Sequence, residues 1–324
     1  MQNLLDPTIL FFLFALCAGL LKTNLEIPAQ ISRFLSLYLL MALGLKGGFA
    51  LAQSGLTREV GVSLGSAVLL ALLIPLLGYQ VLRRLTSSYN AAAVAATYGS
   101  VSAVTFVTAV QYLETNELTY GGHMAAAMAL MESPAIIIAI LFANTLRLQS
   151  GTTLNNASPA GIGKILHESL TDGAQLLLLG SMLVGLISGE AGKQAMQPFA
   201  GGPFKGMLAF FLIDMGLLAA RSMRQLKDQS PMLAAYALLA PMVHAAMALI
   251  LASLFGISAG NAGLLMVLAA SASYIAVPAV VRYAIPEANP SIYLGMSLGI
   301  TFPFNILLGI PLYVGVAYHI LGGA

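Results

Sequence analysis

LAASASYIAVPAVV, residues 268–281, sets two serines, a tyrosine and a proline inside an otherwise apolar run. A proline in a helix interior removes a backbone donor and crowds the carbonyl four residues before it. In hydrocarbon a polar group released in this way meets no water, so it is tolerated only where protein or a water-filled cavity receives it. The stretch therefore predicts an interrupted helix that other helices shield.

The rest of the chain has the composition to supply those helices. Of 324 residues, 59% are hydrophobic and 8% charged, with 32 Gly and no Trp. Such a chain has too much apolar surface for a soluble globule. Apolar stretches recur near the roughly 20 residues that a helix needs to cross a bilayer, without the alternation of a membrane barrel. They predict an all-α integral membrane protein with ten transmembrane helices, at about 8–22, 30–53, 60–82, 90–113, 121–146, 175–189, 203–221, 232–255, 260–283 and 291–318. No basic segment precedes the first run, where the early charge is Asp6, so that run is expected to be retained and not cleaved. The single cysteine, Cys17, excludes an intramolecular disulfide and a cysteine-built metal cage.

Charge sets the expected orientation. With the N-terminus outside, Lys22, Arg33, Arg83, Arg84, Arg147, Lys164, Arg221, Arg224, Lys227 and Arg282 fall on the inner side. Lys46, Arg58, Lys193 and Lys205 remain for the other side, so the bias places both termini in the periplasm or exterior. The net charge of +2 is topological and carries no nucleic-acid message.

The longest polar stretch, 147–174, is expected to be a cytoplasmic linker between a first unit, 1–146, and a second, 175–324. The halves echo one another. Gly19 pairs with Gly185 and Pro75 with Pro241, both 166 residues apart; Gly44 pairs with Gly216 at 172, Ser102 with Ala276 at 174, and Pro134 with Pro303 at 169. A repeat of five helices must invert its topology in the second half, an arrangement common among secondary transporters.

The partner of the opening stretch is then TYGSVSAVTFVT, 97–108, with Gly99 and several hydroxyls. Two interrupted helices that meet near the midplane aim half-helix N-termini at one point, giving free donors and a positive dipole for a small anion. Ser100, Ser102, Thr105, Ser271 and Ser273 are candidate donors that add no charge; close helix packing by small residues is the competing account. Glu132, before Pro134, costs about 2.5–3.5 kcal/mol at the bilayer centre on insertion scales, so it is a candidate for ion or substrate handling, or a cap on a broken helix. Asp214 is as deep, and is either functional or paired with Lys46 or Arg221. His244 is a candidate proton carrier or a packing histidine. Asn305, two residues after Pro303, offers a carbonyl to a cation or caps a break there. The asparagines of NNAS, 155–158, fit a glycosylation pattern but fall on the inner side. No paired His–Glu metal motif, phosphate loop, nucleophile elbow or catalytic Cys–His spacing occurs, so neither an enzyme nor a bound cofactor is expected.

YGSVSAVTFVTAVQYLE (98–114), LMESPAIIIAILFAN (130–144), APMVHAAMAL (240–249) and LAASASYIAVPAVVRYAIPEANPSIYLGMSLGI (268–300) together resemble the sodium-dependent bicarbonate transporter family. The resemblance runs in order along nearly the whole chain, and AIPEANPSIYLG (284–295) is its most specific part. It implies ten helices in two inverted repeats, a core domain that moves against a gate domain, a homotrimer, and uptake of bicarbonate coupled to sodium. By position it implies substrate contacts from Ser102, Thr105, Ser271 and Ser273. It also puts Glu132 where the family has an Asp, and His244 on the family's histidine.

The chain departs from the family pattern in one segment above all. Where the family reads Ser-Ser-Ser-Asp-Ile-Ser-Gly-Pro-Pro, this chain reads Ser271-Ala272-Ser273-Tyr274-Ile275-Ala276-Val277-Pro278-Ala279. The inner linker is short for docking of the PII-like regulator known in the family.

The sequence thus predicts a secondary active transporter of the cell (inner) membrane with an elevator-like mechanism. Gly99, Ser100, Ser102, Thr105, Ser271, Ser273 and Tyr274 are its candidate substrate-binding residues, and Glu132, Asn305 and Ser273 its candidates for the coupling sodium. The alternative on the same fold is proton-coupled transport of a small organic acid through Glu132 or His244.

Overall fold

The computed structural model describes residues 5–149, 173–226 and 229–322. The NNAS segment, Lys164, Lys227 and most of the expected linker lie outside the described residues. Among those described the chain is all-helical. In chain order the helices are α1 (Pro7–Leu20), α2 (Ala29–Ser54), α3 (Arg58–Leu82), α4 (Ser88–Gly99), α5 (Ala103–Thr115) and α6 (Met124–Gln149). They continue with α7 (Gly173–Ala200), α8 (Gly202–Gln225), α9 (Pro231–Phe255), α10 (Ala259–Ala270), α11 (Ala276–Ala284) and α12 (Pro290–Leu321).

Seven helical stretches among the described residues are long and apolar enough to cross a membrane: α2, α3, α4 with α5, α7, α8, α9 and α12. α1 and α10 are shorter apolar helices. Polar side chains start several of them. Asp6 accepts from Thr8 N at 2.8 Å to cap α1, and Asn289 accepts from Ser291 N at 3.0 Å to cap α12. α9 ends at Gly256, whose φ of +69° is the left-handed turn that glycine makes without strain. α7 bends at Gly189, with φ +54°, at the last residue of the expected 175–189 span, and its helix runs on to Ala200.

α4 with α5, and α10, are the most protected elements. In the most apolar part of α4–α5, 94% of residues are buried, against 22% in α7 and 33% in α9, and every residue of α10 is buried. Backbone left unpaired at a break is therefore kept away from lipid.

The breaks do not fall at the prolines. Pro278 sits in the first turn of α11, where a missing N–H costs nothing, and the chain is already non-helical from Ser271. Pro303 does not break α12: it lies between π-helical turns at Gly295–Thr301 and Asn305–Gly309, whose extra residue per turn absorbs the lost donor. α6 likewise runs unbroken through Pro134. Pro241 in α9 frees the carbonyl of Ala237, and the Thr301 hydroxyl donates to that oxygen at 2.7 Å.

α1 packs on α8, and α2 on α7, along glycine seams. A Cβ on Gly19 would lie 2.6 Å from Ala220 Cβ and against the backbone of Leu217; one on Gly185 would lie 2.6 Å from Leu45 O and against Gly48. The two contacts correspond residue for residue, because Leu45 and Gly48 precede Leu217 and Ala220 by 172 positions as Gly19 precedes Gly185 by 166. Lipid supplies no hydrophobic drive for helix pairing, so close backbone approach carries these seams.

Gly48→Ala, whose new methyl would meet the backbone of Met182 and Gly185, is expected to destabilise the protein by about 1–3 kcal/mol. Gly65→Ala, facing open space, should stay within about 0.5 kcal/mol of the parent. Thermal unfolding in detergent separates the two.

Candidate functional site

The chain between α4 and α5 meets the chain between α10 and α11, and the two bind each other by backbone. Ser273 N donates to Thr97 O at 2.9 Å. Ser102 N donates to Ser271 Oγ at 3.0 Å, and that hydroxyl donates to Leu268 O at 2.8 Å. Thr97 and Leu268 are 171 residues apart, as are Ser102 and Ser273, so the same link is made twice: once directly and once through a hydroxyl.

Each break also starts a helix. Ser102 caps α5, its Oγ accepting from Thr105 N at 3.1 Å and from Thr105 Oγ1 at 2.9 Å. Ser273 Oγ accepts from Val277 N at 3.3 Å in the first turn of α11. The first N–H groups of α5 and α11 have no carbonyl four residues earlier to pair with, so both helices point donors and dipole at the crossing. Such an arrangement stabilises a small anion.

Tyr274 fills the space between the breaks. Ser102 Oγ donates to its phenol oxygen at 3.2 Å, and its ring lies edge-on to Phe302 at 5.3 Å. Phe302 in turn meets Phe12 of α1 edge-on at 5.6 Å. Tyr274 is within electrostatic reach of Asp214 on α8, whose carboxylate accepts from Ser32 Oγ of α2.

Of the residues singled out by sequence, Ser102, Thr105, Ser271, Ser273 and Tyr274 come together at this crossing. Ser100 is buried beside them, and its Oγ has no partner among the described residues. Gly99 ends α4 against the ring of Pro75, where a Cβ would lie 2.6 Å from Pro75 Cγ. Asn305 sits one helix away. Its Nδ2 donates to Ala270 O at 2.8 Å, closing the open end of α10, and its Oδ1 accepts from Tyr313 at 3.1 Å. Glu132 accepts from Gln175 Nε2 of α7. His244 is buried beside Tyr98 and the backbone of Ala269, with Nδ1 unpartnered among the described residues.

Of the alternatives open for Asp214, the pairing with Lys46 is not formed. Lys46 bonds Glu114 at 2.9 Å and lies 4.0 Å above the Phe204 ring. Lys46 is drawn there by a carboxylate at the end of α5, and the cation also gains from the aromatic face. Sequence reading missed Tyr98, Phe302 and Thr301. Tyr98 Oη shares a 2.6 Å hydrogen bond with Thr301 Oγ1, tying α4 to α12. The one available signal was Pro241, since a freed Ala237 carbonyl requires a donor from somewhere.

Ser271→Ala removes the hydroxyl between Ser102 N and Leu268 O and leaves both unpaired inside the protein. A loss of about 1–3 kcal/mol is expected, read as lowered thermal stability in detergent, with Ser271→Thr as the variant that restores the bridge.

A family model described as Na+-dependent bicarbonate transporter superfamily matches residues 7–318. No curated protein matches the chain.

Proposed function

Because the chain belongs to the Na+-dependent bicarbonate transporter superfamily, we propose that it takes up bicarbonate with sodium across the membrane in which its apolar helices lie, and holds the anion where the broken helices cross. The observation that carries this reading is the crossing itself. α5 and α11 begin there, and the side chains that meet are neutral hydroxyls. An anion placed at two helix N-termini gains partial positive charge without a buried cation, whose desolvation would otherwise have to be met.

The architecture we infer is ten spans in two halves of opposite topology. The matched glycine seams and the doubled link between the breaks support it, since both follow from a two-fold relation between residues 166–172 apart. In this reading α1, α2, α7 and α8 form a gate, and the remaining helices form a core that carries the site from one side to the other. Glu132, Asn305, Ser273 and carbonyls of the breaks hold the coupling sodium. The protein is a homotrimer of the inner membrane with both termini outside, by family resemblance and by charge bias.

One observation favours a second reading. Beside the crossing the Tyr274 ring packs edge-on against Phe302, an aromatic side that suits a solute with a carbon body, such as a small organic acid moved with protons.

Labelled uptake into proteoliposomes, with and without an inward sodium gradient at fixed pH, decides between them. Bicarbonate uptake is expected to require the gradient. Folded protein that ignores bicarbonate but accumulates an organic acid under a proton gradient would select the second reading. Tyr274→Phe, which removes a donor from the seat, should raise KM roughly fivefold, the worth of about one hydrogen bond. Glu132→Gln should weaken the dependence on sodium.

A further inference from the structure

A small cleft, partly open to solvent, lies at the far end of α5 between α1, α5, α8 and α12, and Ile9, Leu208, Ile306, Ile310 and Pro311 form its apolar side. Its polar wall is Asp6, Thr8, Thr108, Gln111, Tyr112 and Thr115. Four of these lie on α5, and with Thr105 they continue to the crossing. Positions 105, 108, 112 and 115 recur at three- and four-residue steps, which puts them on one face of a helix. Burial rises along that face. Thr115 is exposed, Gln111 and Tyr112 are half-buried, and Thr108 and Thr105 are 4% and 1% exposed.

We propose that this cleft is a waiting site for the transported solute, a small hydrated oxyanion. The polar face of α5 would join it to the crossing, and solute would reach it from the side that holds the start of α1. The proposal rests on the reading of the crossing as the substrate seat.

Three features suit the cleft to that ligand. Thr8 is 3% exposed, yet its Oγ1 has no partner among the described residues, so a hydroxyl stands ready in the wall. The hydroxyl of Thr115 accepts from Gln111 Nε2 at 3.0 Å and keeps its own proton to donate. Asp6 would repel an anion if bare, but Lys205 bonds it at 2.7 Å and neutralises the pair. Burial opposes ionisation of Asp6, but hydrogen bonds from Lys205 and Thr8 outweigh it and hold the carboxyl below its usual range. The cleft leads inward along hydroxyls that grow drier toward Ser102, so a solute sheds water in steps and not at once.

Cysteine labelling tests this directly. Cys17 is replaced by Ser, and Thr115→Cys, Gln111→Cys and Thr108→Cys are introduced singly, with exposed Leu56→Cys as the marker for the same side. A charged, membrane-impermeant thiol reagent is applied to sealed vesicles in which it reaches Leu56→Cys. Labelling rates should fall in the order Thr115, Gln111, Thr108. Bicarbonate at about five times half-saturation should slow labelling of Gln111→Cys and Thr108→Cys about sixfold by mass action, and leave Leu56→Cys unchanged. Half-buried Gln111 tolerates the change even if Thr108 does not. The proposal is overturned by labelling that is ungraded or absent from this side. It is also overturned if graded labelling shows no protection in vesicles that do take up bicarbonate. Graded labelling in vesicles that take up no bicarbonate would sink the substrate assignment and leave the access path standing, with protection then sought from small organic acids.

Discussion

A carbonyl or N–H freed at bilayer depth must find its partner within the protein, because hydrocarbon offers none. Two helices of this chain are broken there, and much of the structure follows from meeting that demand. The breaks bind each other through Thr97, Ser102, Leu268, Ser271 and Ser273, and Asn305 closes the end of α10 from a third helix. Both breaks are then buried among the surrounding helices. The same demand explains α9 and α12, where Pro241 frees one carbonyl and Thr301 takes it up.

Satisfying the backbone in this way leaves something over. Donors at the starts of α5 and α11 lack intrahelical carbonyl partners; Ser102 and Ser273 cap Thr105 N and Val277 N, and the remaining first-turn N–H groups gather at one place. Breaking two helices at facing positions thus gathers the hydroxyls of Ser102, Ser273 and Tyr274 at one place, the arrangement on which the proposed anion site rests. The aromatic rings of Tyr274, Phe302 and Phe12 reach from the crossing to α1.

Full charges are handled differently. Ion pairs lie near helix ends: Lys205 with Asp6, Lys46 with Glu114, and Arg147 with Glu287. Arg147 also donates to Ala284 O at 2.8 Å, so it serves the C-terminus of α11, where a cation is favoured. Glu59 works at the other polarity: it accepts from Ser258 N at 2.7 Å and Asn261 Nδ2 at 2.9 Å at the start of α10. These contacts fix the ends of the half-helices, while neutral groups manage their broken middles.

Composition and run length determined an all-helical membrane protein, because continuous apolar stretches of about 20 residues, without the alternation of barrel strands, pair their backbone in lipid only as helices. The stretches 97–108 and 268–281 were legible as special because hydroxyls and glycine interrupt text that is otherwise apolar, and Gly19, Gly44, Gly185 and Gly216, which the spacing picked out, lie where helix backbones approach closely. Tertiary structure alone decided where each helix breaks and who receives its freed groups. Pro278 and Pro303 read as breakers, yet one opens a helix and the other is absorbed by π turns. Asp214 and Lys46 read as neighbours, yet each found another partner on a different helix. Local chemistry marks which groups need a partner. The partners can lie 203 residues away, as Thr301 does from Tyr98, and only the packing of helices brings them within reach.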